Sequence, residues 1–337
     1  MSTNLQIKQK LSSNSKTWLI TGVAGFIGSN LLEELLRLNQ IVIGIDDFSS
    51  GSDDNLIEVK DSVTEDQWLN FNFIKGTILN YDTCLQACQN VDYVLHQAAA
   101  SSVAKSLADP IAANEVNVTG FLNMLTASKS TGVNNFIYAS SCAVYGDNIS
   151  LPLKEEYMVS PLSPYALTKQ IAEGYASIFD ESYNLNSIGL RYFNIFGKRQ
   201  SIDGDYSAVI PKWIDCIIND QKIYIYGDNQ ISRDFCHVDN VVQANILAAI
   251  TENKNALNKA YNIGSGKRTS LKKIYEMIQS SLNIKHKKVS IKNPRKGDIQ
   301  HSQADISNAK KFLKYQPGNN LTDDLLKTIK WYLKKNI

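Results

Sequence analysis

Short apolar runs alternate along the chain with longer stretches of helical periodicity. The first run, residues 17–20, leads through a glycine-rich turn into a stretch that carries a pair of leucines on each of two successive turns, at positions 31, 32, 35 and 36. Further apolar runs at about 41–45, 71–75, 92–95 and 136–139 alternate with helical stretches at about 81–89 and 114–131. This alternation predicts an α/β fold with a doubly wound parallel sheet.

The alternation ends near residue 195, where loops and short elements take over. We interpret this as a smaller α/β domain for substrate, interleaved with the first domain. The predicted boundaries are an N-terminal extension over 1–16, a dinucleotide-binding domain over 17–195 with returns near 232–264, and a mainly substrate-binding part over 196–337. The closing stretch, 321–333, is amphipathic and is predicted to be a structural helix.

Composition adds only broad limits. The chain has 337 residues, 43% of them hydrophobic and 20% charged, as expected for a globular protein. A net charge of +2 gives no reason to expect nucleic acid or a membrane as a partner. The first 16 residues lack an apolar core of a signal peptide, which predicts a cytoplasmic protein. The five cysteines do not have the spacing of metal ligands, so we predict no metal site.

The glycine-rich turn has the spacing of a dinucleotide site. Gly22, Gly25 and Gly28 lie between the first strand and the first helix, where a bare backbone can approach a pyrophosphate at the helix N-terminus. The next strand ends at Asp46, 18 residues after Gly28. A carboxylate there accepts hydrogen bonds from the hydroxyls of an adenosine ribose and repels a 2′-phosphate. The pattern therefore favours NAD over NADP.

Two later strands are also followed by small polar residues. Residues 96–100 follow the strand at 92–95, and residues 140–142 follow the strand at 136–139. Because open parallel sheets bind ligands at the carboxyl ends of their strands, we expect both segments at one edge of the sheet. We assign His96 a role in fixing the backbone there and no role in catalysis.

Tyr165 and Lys169 have the spacing of a catalytic pair. Ser163 and Pro164 are suited to the cap and the first position of a helix, and residues four apart lie on the same helix face. Lowering a tyrosine pKa from about 10 to neutrality requires about 4 kcal/mol, which a nearby cation can supply. We predict that Lys169 lowers the pKa of Tyr165. Composition alone yields roughly one tyrosine–lysine pair of this spacing by chance. The pair is therefore informative only through its position among the other motifs.

The order of these motifs resembles that of the extended short-chain dehydrogenases/reductases. The resemblance covers about residues 17–335 and is carried by the glycine turn, Asp46, the turn at 96–99, and the tyrosine–lysine pair. The other matching residues are Asn117, Ser140, Ser141, Tyr145, Gly146, Asp147, the run 191–194, Gly227, Arg233, Asp234, Arg295, Gly297 and Asp298. Within that family the chain is most similar to nucleotide-sugar 4-epimerases of the UDP-N-acetylhexosamine group, which also carry an N-terminal extension.

The resemblance implies a Rossmann-like fold, tightly held NAD and an epimerase mechanism. Tyr165 would take the proton of the sugar 4-hydroxyl while carbon 4 gives its hydride to the nicotinamide, and the hydride would return to the other face of the 4-keto sugar. Ser141, with Ser140, would assist this proton transfer, and Lys169 would also hold the nicotinamide ribose. The implied NAD contacts are Gly22, Gly25, Phe26, Ile27, Gly28, Asp46, Ile78, Gln97, Ala98, Ala99, Asn117, Tyr165 and Lys169.

The resemblance also implies a UDP-sugar substrate and a homodimer. Arg233 and Arg295 match positions that bind the diphosphate, and guanidinium groups can bind it in a bidentate manner. Only six of the 35 basic residues are arginines, so two at these positions are informative. Ser302 matches a family position that forms a wall beside carbon 2 of the sugar. A small residue at that position leaves space for an N-acetyl group. The implied substrate contacts are Ser141, Asn194, Val209, Tyr224, Arg233, Arg295, Asp298 and Ser302.

Two positions depart from the family pattern. Cys142 and Ala143 stand where related dehydratases and decarboxylases carry acidic residues, so the chain lacks a proton donor for elimination. Cys142 also replaces a serine that is common in close relatives, and a packed thiol is the alternative to any role of that serine. Thr77 replaces an aspartate that contacts adenine in the family, so we assign no adenine contact to it.

Other functions remain open from the sequence. One alternative is an epimerase that acts on another UDP-sugar, such as a uronic acid form, since these motifs do not fix the substituent on carbon 5. A net reductase that releases its cofactor in each cycle is a second alternative, which Asp46 and the two arginines disfavour. A dinucleotide-sensing regulator without catalytic activity is a third, but such proteins usually lose the tyrosine and the lysine that this chain retains.

Overall fold

The structure, a computed structural model, describes residues 11, 14–202, 208–226, 231–285, 287–292 and 300–335. Its strands are β1 (Thr17–Thr21), β2 (Ile41–Asp46), β3 (Phe71–Lys75), β4 (Tyr93–His96), β5 (Asn135–Ser141), β6 (Ser187–Tyr192), β7 (Ile195–Phe196), β8 (Ile223–Tyr226), β9 (Ser232–Arg233), β10 (Cys236–His237), β11 (Lys259–Ile263), β12 (Thr269–Ser270) and β13 (Val289–Lys292).

The helices are α1 (Phe26–Arg37), α2 (Asp53–Ser62), α3 (Glu65–Trp68), α4 (Tyr81–Ala87), α5 (Val103–Ala108), α6 (Pro110–Asn114), α7 (Gly120–Thr131), α8 (Pro164–Tyr183), α9 (Val209–Ile218), α10 (Val238–Ala249), α11 (Leu271–Leu282) and α12 (Leu321–Lys335). Short 3-10 turns (Cys142–Tyr145, Lys254–Ala256) and π-helical turns (Glu115–Thr119, Ala309–Leu313) complete the list. No helix in these described ranges is long and apolar enough to cross a bilayer.

The central sheet confirms the predicted doubly wound fold. Seven parallel strands lie in the order β11-β6-β5-β4-β1-β2-β3. The chain first builds outward from β1 through β2 to β3, and then crosses back to place β4 on the other side of β1. Ligands bind in the crevice that forms where the strand order reverses in this way. The fold therefore places the candidate site above the carboxyl ends of β1 and β4.

Both faces of this sheet are covered, which explains the continuous apolar runs in its strands. Trp18 and Ile20 belong to one cluster of buried side chains, whereas Leu19, between them, belongs to a second cluster. Successive residues of a strand point to opposite faces, so these clusters lie on the two sides of the sheet. Helix α10, from the later part of the chain, packs against β4, β5 and β6.

Three element boundaries differ from the sequence-based expectation in ways that affect the site. Strand β5 continues through Ser141 instead of ending at residue 139, so both serines are strand residues. Strand β4 includes His96. The single helix expected over 114–131 is divided, because α6 gives way to the π-helical turn Glu115–Thr119 before α7 begins. Such π turns are frequent at functional sites.

The later part of the chain has a core of its own. Buried side chains of α9, α11 and α12 pack together, including Trp213, Ile274 and Ile329. Two-stranded pairs of β8 with β13 and of β9 with β12 frame this region, while β11 returns to the edge of the main sheet. The proposed domain boundaries remain predictions. Of the N-terminal extension, Leu11 is buried against the main core, and its carbonyl accepts a hydrogen bond from Gln40 Nε2 at 3.0 Å.

Candidate active site

The glycine turn between β1 and α1 fits a pyrophosphate. Gly22 has φ +69°, and a Cβ on Gly28 would lie 2.1 Å from the Gly22 carbonyl oxygen, so a side chain cannot be accommodated there. Gly25 caps α1 without a side-chain hydrogen bond, which leaves the first amides of the helix directed at the crevice. Phe26 and Ile27 form the first turn of α1, and their contact with the phosphates remains a prediction.

Asp46 lies at the end of β2 and also shapes the turn. Its Oδ2 accepts a hydrogen bond from the Ala24 amide at 2.9 Å, and its Oδ1 accepts one from the Phe48 amide at 2.8 Å. Burial raises the pKa of this carboxyl, and the two amide hydrogen bonds oppose that rise. The carboxylate thus lies beside the glycine turn, where the ribose was expected. The Thr77 hydroxyl hydrogen-bonds the neighbouring carboxylate of Asp47.

The start of the turn after β4 is held by the Thr21 side chain of β1. His96 Nδ1 and Thr21 Oγ1 are 2.9 Å apart, and Thr21 Oγ1 accepts the Ala98 amide at 3.2 Å. Burial, with the charge of Lys169, lowers the pKa of His96 to about 3, so this histidine is neutral. It contacts the Thr21 hydroxyl that holds the Ala98 amide, in agreement with the structural role assigned to it.

Asn117 connects the same turn to the helix that carries the predicted base. Its Oδ1 accepts the Ala100 amide at 2.8 Å, and its Nδ2 donates to Thr168 Oγ1 at 3.0 Å. The asparagine lies in the π-helical turn Glu115–Thr119, which interrupts the regular helix at this point. Ala99 lies in the turn that Asn117 holds. Asn117 therefore supports the predicted cofactor residues, and any direct contact of its own with NAD remains a prediction.

Gln97 is placed at the crevice, but its side chain is engaged elsewhere. Its Nε2 donates to Asn245 Oδ1 at 3.0 Å, and its Oε1 accepts the Tyr192 hydroxyl at 3.1 Å. Asn245 Nδ2 in turn donates to Tyr192 at 2.8 Å, which closes a ring of three hydrogen bonds. Ile78 is buried under α7. The sequence analysis assigned no contact to Tyr192, which lies in the matching run 191–194, and it missed Asn245, because no motif connects the two before the chain is folded.

Tyr165 and Ser141 meet at the carboxyl end of β5. Ser163 caps α8 by accepting the Ala166 amide at 3.2 Å, and Pro164 occupies the first turn, as the sequence predicted. The phenol of Tyr165 hydrogen-bonds the Ser141 side chain. A hydroxyl that donates to a phenolate stabilises its charge, so this contact favours Tyr165 as a proton acceptor.

The prediction that Lys169 lowers the pKa of Tyr165 was wrong for the protein chain alone. Burial raises the pKa of Tyr165 to about 12, and the hydrogen bond from Ser141 only partly opposes that rise. Lys169 Nζ is 5.9 Å from the centroid of the tyrosine ring and donates instead to the Ala139 carbonyl at 2.9 Å. Burial also lowers the pKa of Lys169 to about 8, which weakens its hold on a positive charge.

Ser140 does not reach Tyr165. Its hydroxyl donates to Glu173 Oε1 at 2.5 Å, on the other side of β5 from Ser141. Adjacent residues of a strand point to opposite faces, so only one of the two serines can face the crevice. The structure thus corrects the prediction that Ser140 is a catalytic residue. Tyr145 is also remote from the crevice, because its hydroxyl contacts Arg191 and Asn262.

A cavity of about 310 Å³ opens at the later core and is lined by residues between 194 and 271. Every charged residue that lines it, within the part of the chain described, is a cation. Its lining includes Asn194, Val209, Lys212, Lys222, Tyr224 and Arg233. Lys292 Nζ lies 3.9 Å from the centroid of the Tyr224 ring. An apolar cavity with converging cations suits a nucleoside diphosphate. The sequence analysis listed no substrate contact at Lys212, although this residue shares a helix face with Val209.

Asn194 and Ser302 form one end of this region. Asn194 Nδ2 donates to Ser302 Oγ at 3.0 Å and to the Asp234 carbonyl at 3.1 Å, and Ser302 is buried. The backbone amide of Asn194 also donates a hydrogen bond to the Cys142 sulfur, and burial raises the pKa of that thiol to about 11. These contacts bring Ser302 next to a cavity residue. Arg295 and Asp298 lie outside the described residues.

The chain matches the model of the NAD dependent epimerase/dehydratase family over residues 18–264. It belongs to this family. A putative UDP-glucose 4-epimerase of Methanocaldococcus jannaschii is 31% identical, with 94% of this chain and 99% of that protein covered. A UDP-glucuronate 4-epimerase of Thermodesulfobacterium geofontis is 32% identical, with 95% and 97% covered.

A solved structure supports the same relationship for this epimerase/dehydratase family member. The UDP-N-acetylglucosamine 4-epimerase of Methanobrevibacter ruminantium, in complex with UDP-N-acetylmuramic acid, has a TM-score of 0.88 and 36% sequence identity, covering 96% of this chain and 99% of that one. The family is NAD-dependent. The glycine turn with no room for a Cβ, the uncapped amides of α1 and the position of Asp46 fit that cofactor.

Proposed function

We propose that the protein is an NAD-dependent 4-epimerase that interconverts UDP-N-acetylglucosamine and UDP-N-acetylgalactosamine, with UDP-glucose and UDP-galactose as weaker substrates. The observation that carries this proposal is the convergence of three features at one edge of the sheet. The Tyr165 phenol hydrogen-bonds Ser141 at the carboxyl end of β5, Asn194 of the cationic cavity hydrogen-bonds Cys142 in the turn that follows, and the Asn194 side chain contacts small, buried Ser302.

Proton transfer would be the task of Tyr165. NAD, when bound in its oxidised form, supplies the hydride acceptor and a positive charge that favours the phenolate. Tyr165 takes the proton of the sugar 4-hydroxyl, Ser141 hydrogen-bonds the same oxygens, and the proton returns to the sugar after the transient 4-keto group has turned. Lys169 holds the helix against β5 through the Ala139 carbonyl and presents its charge to the nicotinamide ribose.

The cavity residues would bind the UDP group. Tyr224 and Val209 offer apolar surface for uracil, while Arg233 binds the diphosphate as a fork of donors. The Arg233 guanidinium is fixed by a hydrogen bond from Nη1 to the Gln300 carbonyl at 2.6 Å. Arg295 and Asp298 are proposed to complete this part of the site. Lys212 and Lys222 add positive charge near the same bound group.

Elimination chemistry is disfavoured by the residues before Val144. A dehydratase needs an acid near the leaving hydroxyl, and the segment between Ser141 and Val144 offers only Cys142 and Ala143. Burial raises the pKa of the Cys142 thiol to about 11, so it is neutral at physiological pH and is a weak hydrogen-bond donor. The 4-keto sugar would therefore be reduced again without loss of water.

Assays on a panel of UDP-sugars test the substrate assignment. We expect the highest specificity constant with UDP-N-acetylgalactosamine and UDP-N-acetylglucosamine and a lower one with UDP-galactose and UDP-glucose. Each pair should reach the same equilibrium mixture of 4-epimers from either direction. The panel should include UDP-glucuronate, because one relative carries that name. A higher specificity constant for UDP-glucuronate would contradict the proposal, and no activity on any member would refute the epimerase function itself.

Asp46 is expected to decide between NAD and NADP. Protein stripped of cofactor should bind NAD at least about tenfold more tightly than NADP, because a 2′-phosphate would face a carboxylate. Asp46→Asn should lower this ratio of NAD affinity to NADP affinity. Asp47→Asn, at the adjacent exposed carboxylate, is the matched control and should leave the ratio unchanged. Taking the ratio within each protein cancels any general weakening of the turn. Equal affinities in the wild-type protein would refute this role.

We further propose that two copies of the chain associate through α5, α6 and α8. Leu107 and Ile111 are 63% and 72% exposed, and Leu167 and Ile178 on α8 are 47% and 53% exposed. A Cβ added at Gly174, between the latter two on the same helix face, would meet nothing within 4 Å. This apolar face with a central glycine suits close packing against the same helices of a second copy.

Light scattering tests the association. The wild-type protein should have twice the 37.6 kDa mass of the chain, and Ile178→Glu should yield a folded monomer, because it places a charge in the apolar face. Ile149→Glu is the control, since that side chain is exposed on a loop outside the face. A monomeric wild-type protein, or a dimer that survives Ile178→Glu, would show that this face is not the interface.

A further inference from the structure

Three successive turns of α8 hold the end of β5. Tyr165 hydrogen-bonds Ser141, Lys169 Nζ donates to the Ala139 carbonyl at 2.9 Å, and Glu173 Oε1 accepts the Ser140 hydroxyl at 2.5 Å. The helix residues are four apart and therefore lie on adjoining turns of one face. The helix with the proposed base is thus attached to the strand with its partner serine at three consecutive strand residues.

Glu173 is itself held in place. Arg191 of β6 donates from Nε to Glu173 Oε1 at 2.9 Å and from Nη2 to Oε2 at 2.7 Å, and both side chains are mostly buried. Arg191 Nη1 donates to the Tyr145 hydroxyl at 2.8 Å, and that hydroxyl donates to Asn262 Oδ1 at 2.7 Å. A bidentate pair of this kind fixes the orientation of the carboxylate as well as neutralising it.

We propose that Ser140 is a positioning residue for the reaction: its hydrogen bond to the fixed carboxylate of Glu173 sets the distance between Tyr165 and Ser141. Ser140 and Ser141 are adjacent on one strand and cannot shift independently, while Tyr165 and Glu173 are parts of one helix. A shift of α8 against β5 would therefore change the Tyr165–Ser141 contact first. This inference rests on the epimerase activity proposed above.

Loss of that alignment should alter the ionisation of the base. Ser141 is the hydrogen-bond partner that favours the phenolate, and the other groups that face Tyr165 are Lys169 on its own helix, Cys142 in the turn after β5, and Tyr192 at the end of β6. A weaker bond from Ser141 leaves the Tyr165 pKa higher. Because Tyr165 must be deprotonated to accept a proton, the acidic limb of the kcat profile should then move to higher pH.

The test compares two variants that each lose one hydroxyl. One of these hydroxyls is bonded to Glu173 and the other to Arg191. Ser140→Ala removes one of the three bonds between α8 and β5, whereas Tyr145→Phe removes a hydrogen bond to Arg191 that does not involve α8. Both are assayed as NAD-loaded enzymes with the best UDP-sugar of the panel. The measurements are kcat, KM, the pH profile of kcat, the NAD content and the melting temperature.

We expect Ser140→Ala to lower kcat roughly tenfold, with little change in KM or NAD content, and to move the acidic limb upward. Tyr145→Phe should lower the melting temperature by a comparable amount but leave the acidic limb of the kcat profile at its wild-type pH. An unchanged kcat and pH profile in Ser140→Ala would show that the bond is only structural, and an equal shift in both variants would show general loosening. An inactive wild-type protein would refute the proposed function instead, so the two failures are distinguishable.

Discussion

Replacing Tyr165 with phenylalanine is expected to reduce epimerase turnover at least about a hundredfold. The substitution removes one hydroxyl, the group that hydrogen-bonds Ser141 and that would accept the proton of the sugar 4-hydroxyl. The ring remains, so folding and NAD content should be retained. Turnover is measured with the best UDP-sugar of the panel, and cofactor is quantified after denaturation.

The matched control for this variant is Tyr183→Phe. Tyr183 is at the other end of the same helix and is about half exposed, so loss of its hydroxyl tests the general effect of such a change on α8. It should have nearly wild-type turnover. If Tyr165→Phe keeps more than a tenth of wild-type turnover, another group must accept the proton.

Replacing Ser302 with tyrosine should change substrate range more than it changes catalysis. Ser302 is buried and contacts Asn194, so the larger ring must extend into the space beside the proposed sugar site. An N-acetyl group needs several more heavy atoms of space than a hydroxyl, and crowding of this kind costs about 1–3 kcal/mol or more. We expect the specificity constant for the N-acetylated substrates to fall between about tenfold and a hundredfold, while turnover of UDP-galactose survives.

Two controls distinguish the loss of space beside the sugar from the loss of the hydrogen bond between Ser302 and Asn194. Ser302→Ala removes the hydroxyl that Asn194 contacts but keeps the space, so it should affect both substrate types alike and weakly. Ser307→Tyr adds the same ring at an exposed position five residues later and should affect neither. A parallel loss of both substrate types in Ser302→Tyr would indicate general damage, and full activity on the N-acetylated sugars would show that Ser302 does not line their site.

The sequence was sufficient for the features that depend on local pattern. The strand–glycine–helix spacing, the apolar runs of a sheet buried on both faces, and the capped start of α8 are set by residues close together in the chain. The break in the helix over 114–131 was missed, because a π-helical turn has no distinct residue pattern.

Features that depend on distant residues could not be predicted. The partner of Ser140 is 33 positions away, and only the extension of β5 shows that this serine faces away from Ser141. Gln97 was expected at the cofactor, but its amide is bonded to side chains from β6 and α10. The pKa of Tyr165 was predicted in the wrong direction because its burial is a property of the folded chain.

The segment that carries Ser302 is attached to its surroundings by backbone groups. The Ser302 amide donates to the Ser232 carbonyl at 3.1 Å, the Asp305 amide to the Leu153 carbonyl at 2.8 Å, and the Ala304 amide to Asp234 Oδ2 at 3.1 Å. None of these bonds depends on which side chain stands at position 302. On the proposed assignment of Ser302 to the sugar site, point mutations at this codon would change the accepted sugar while the backbone of this segment stays in place, which would give natural selection a short route between substrate ranges.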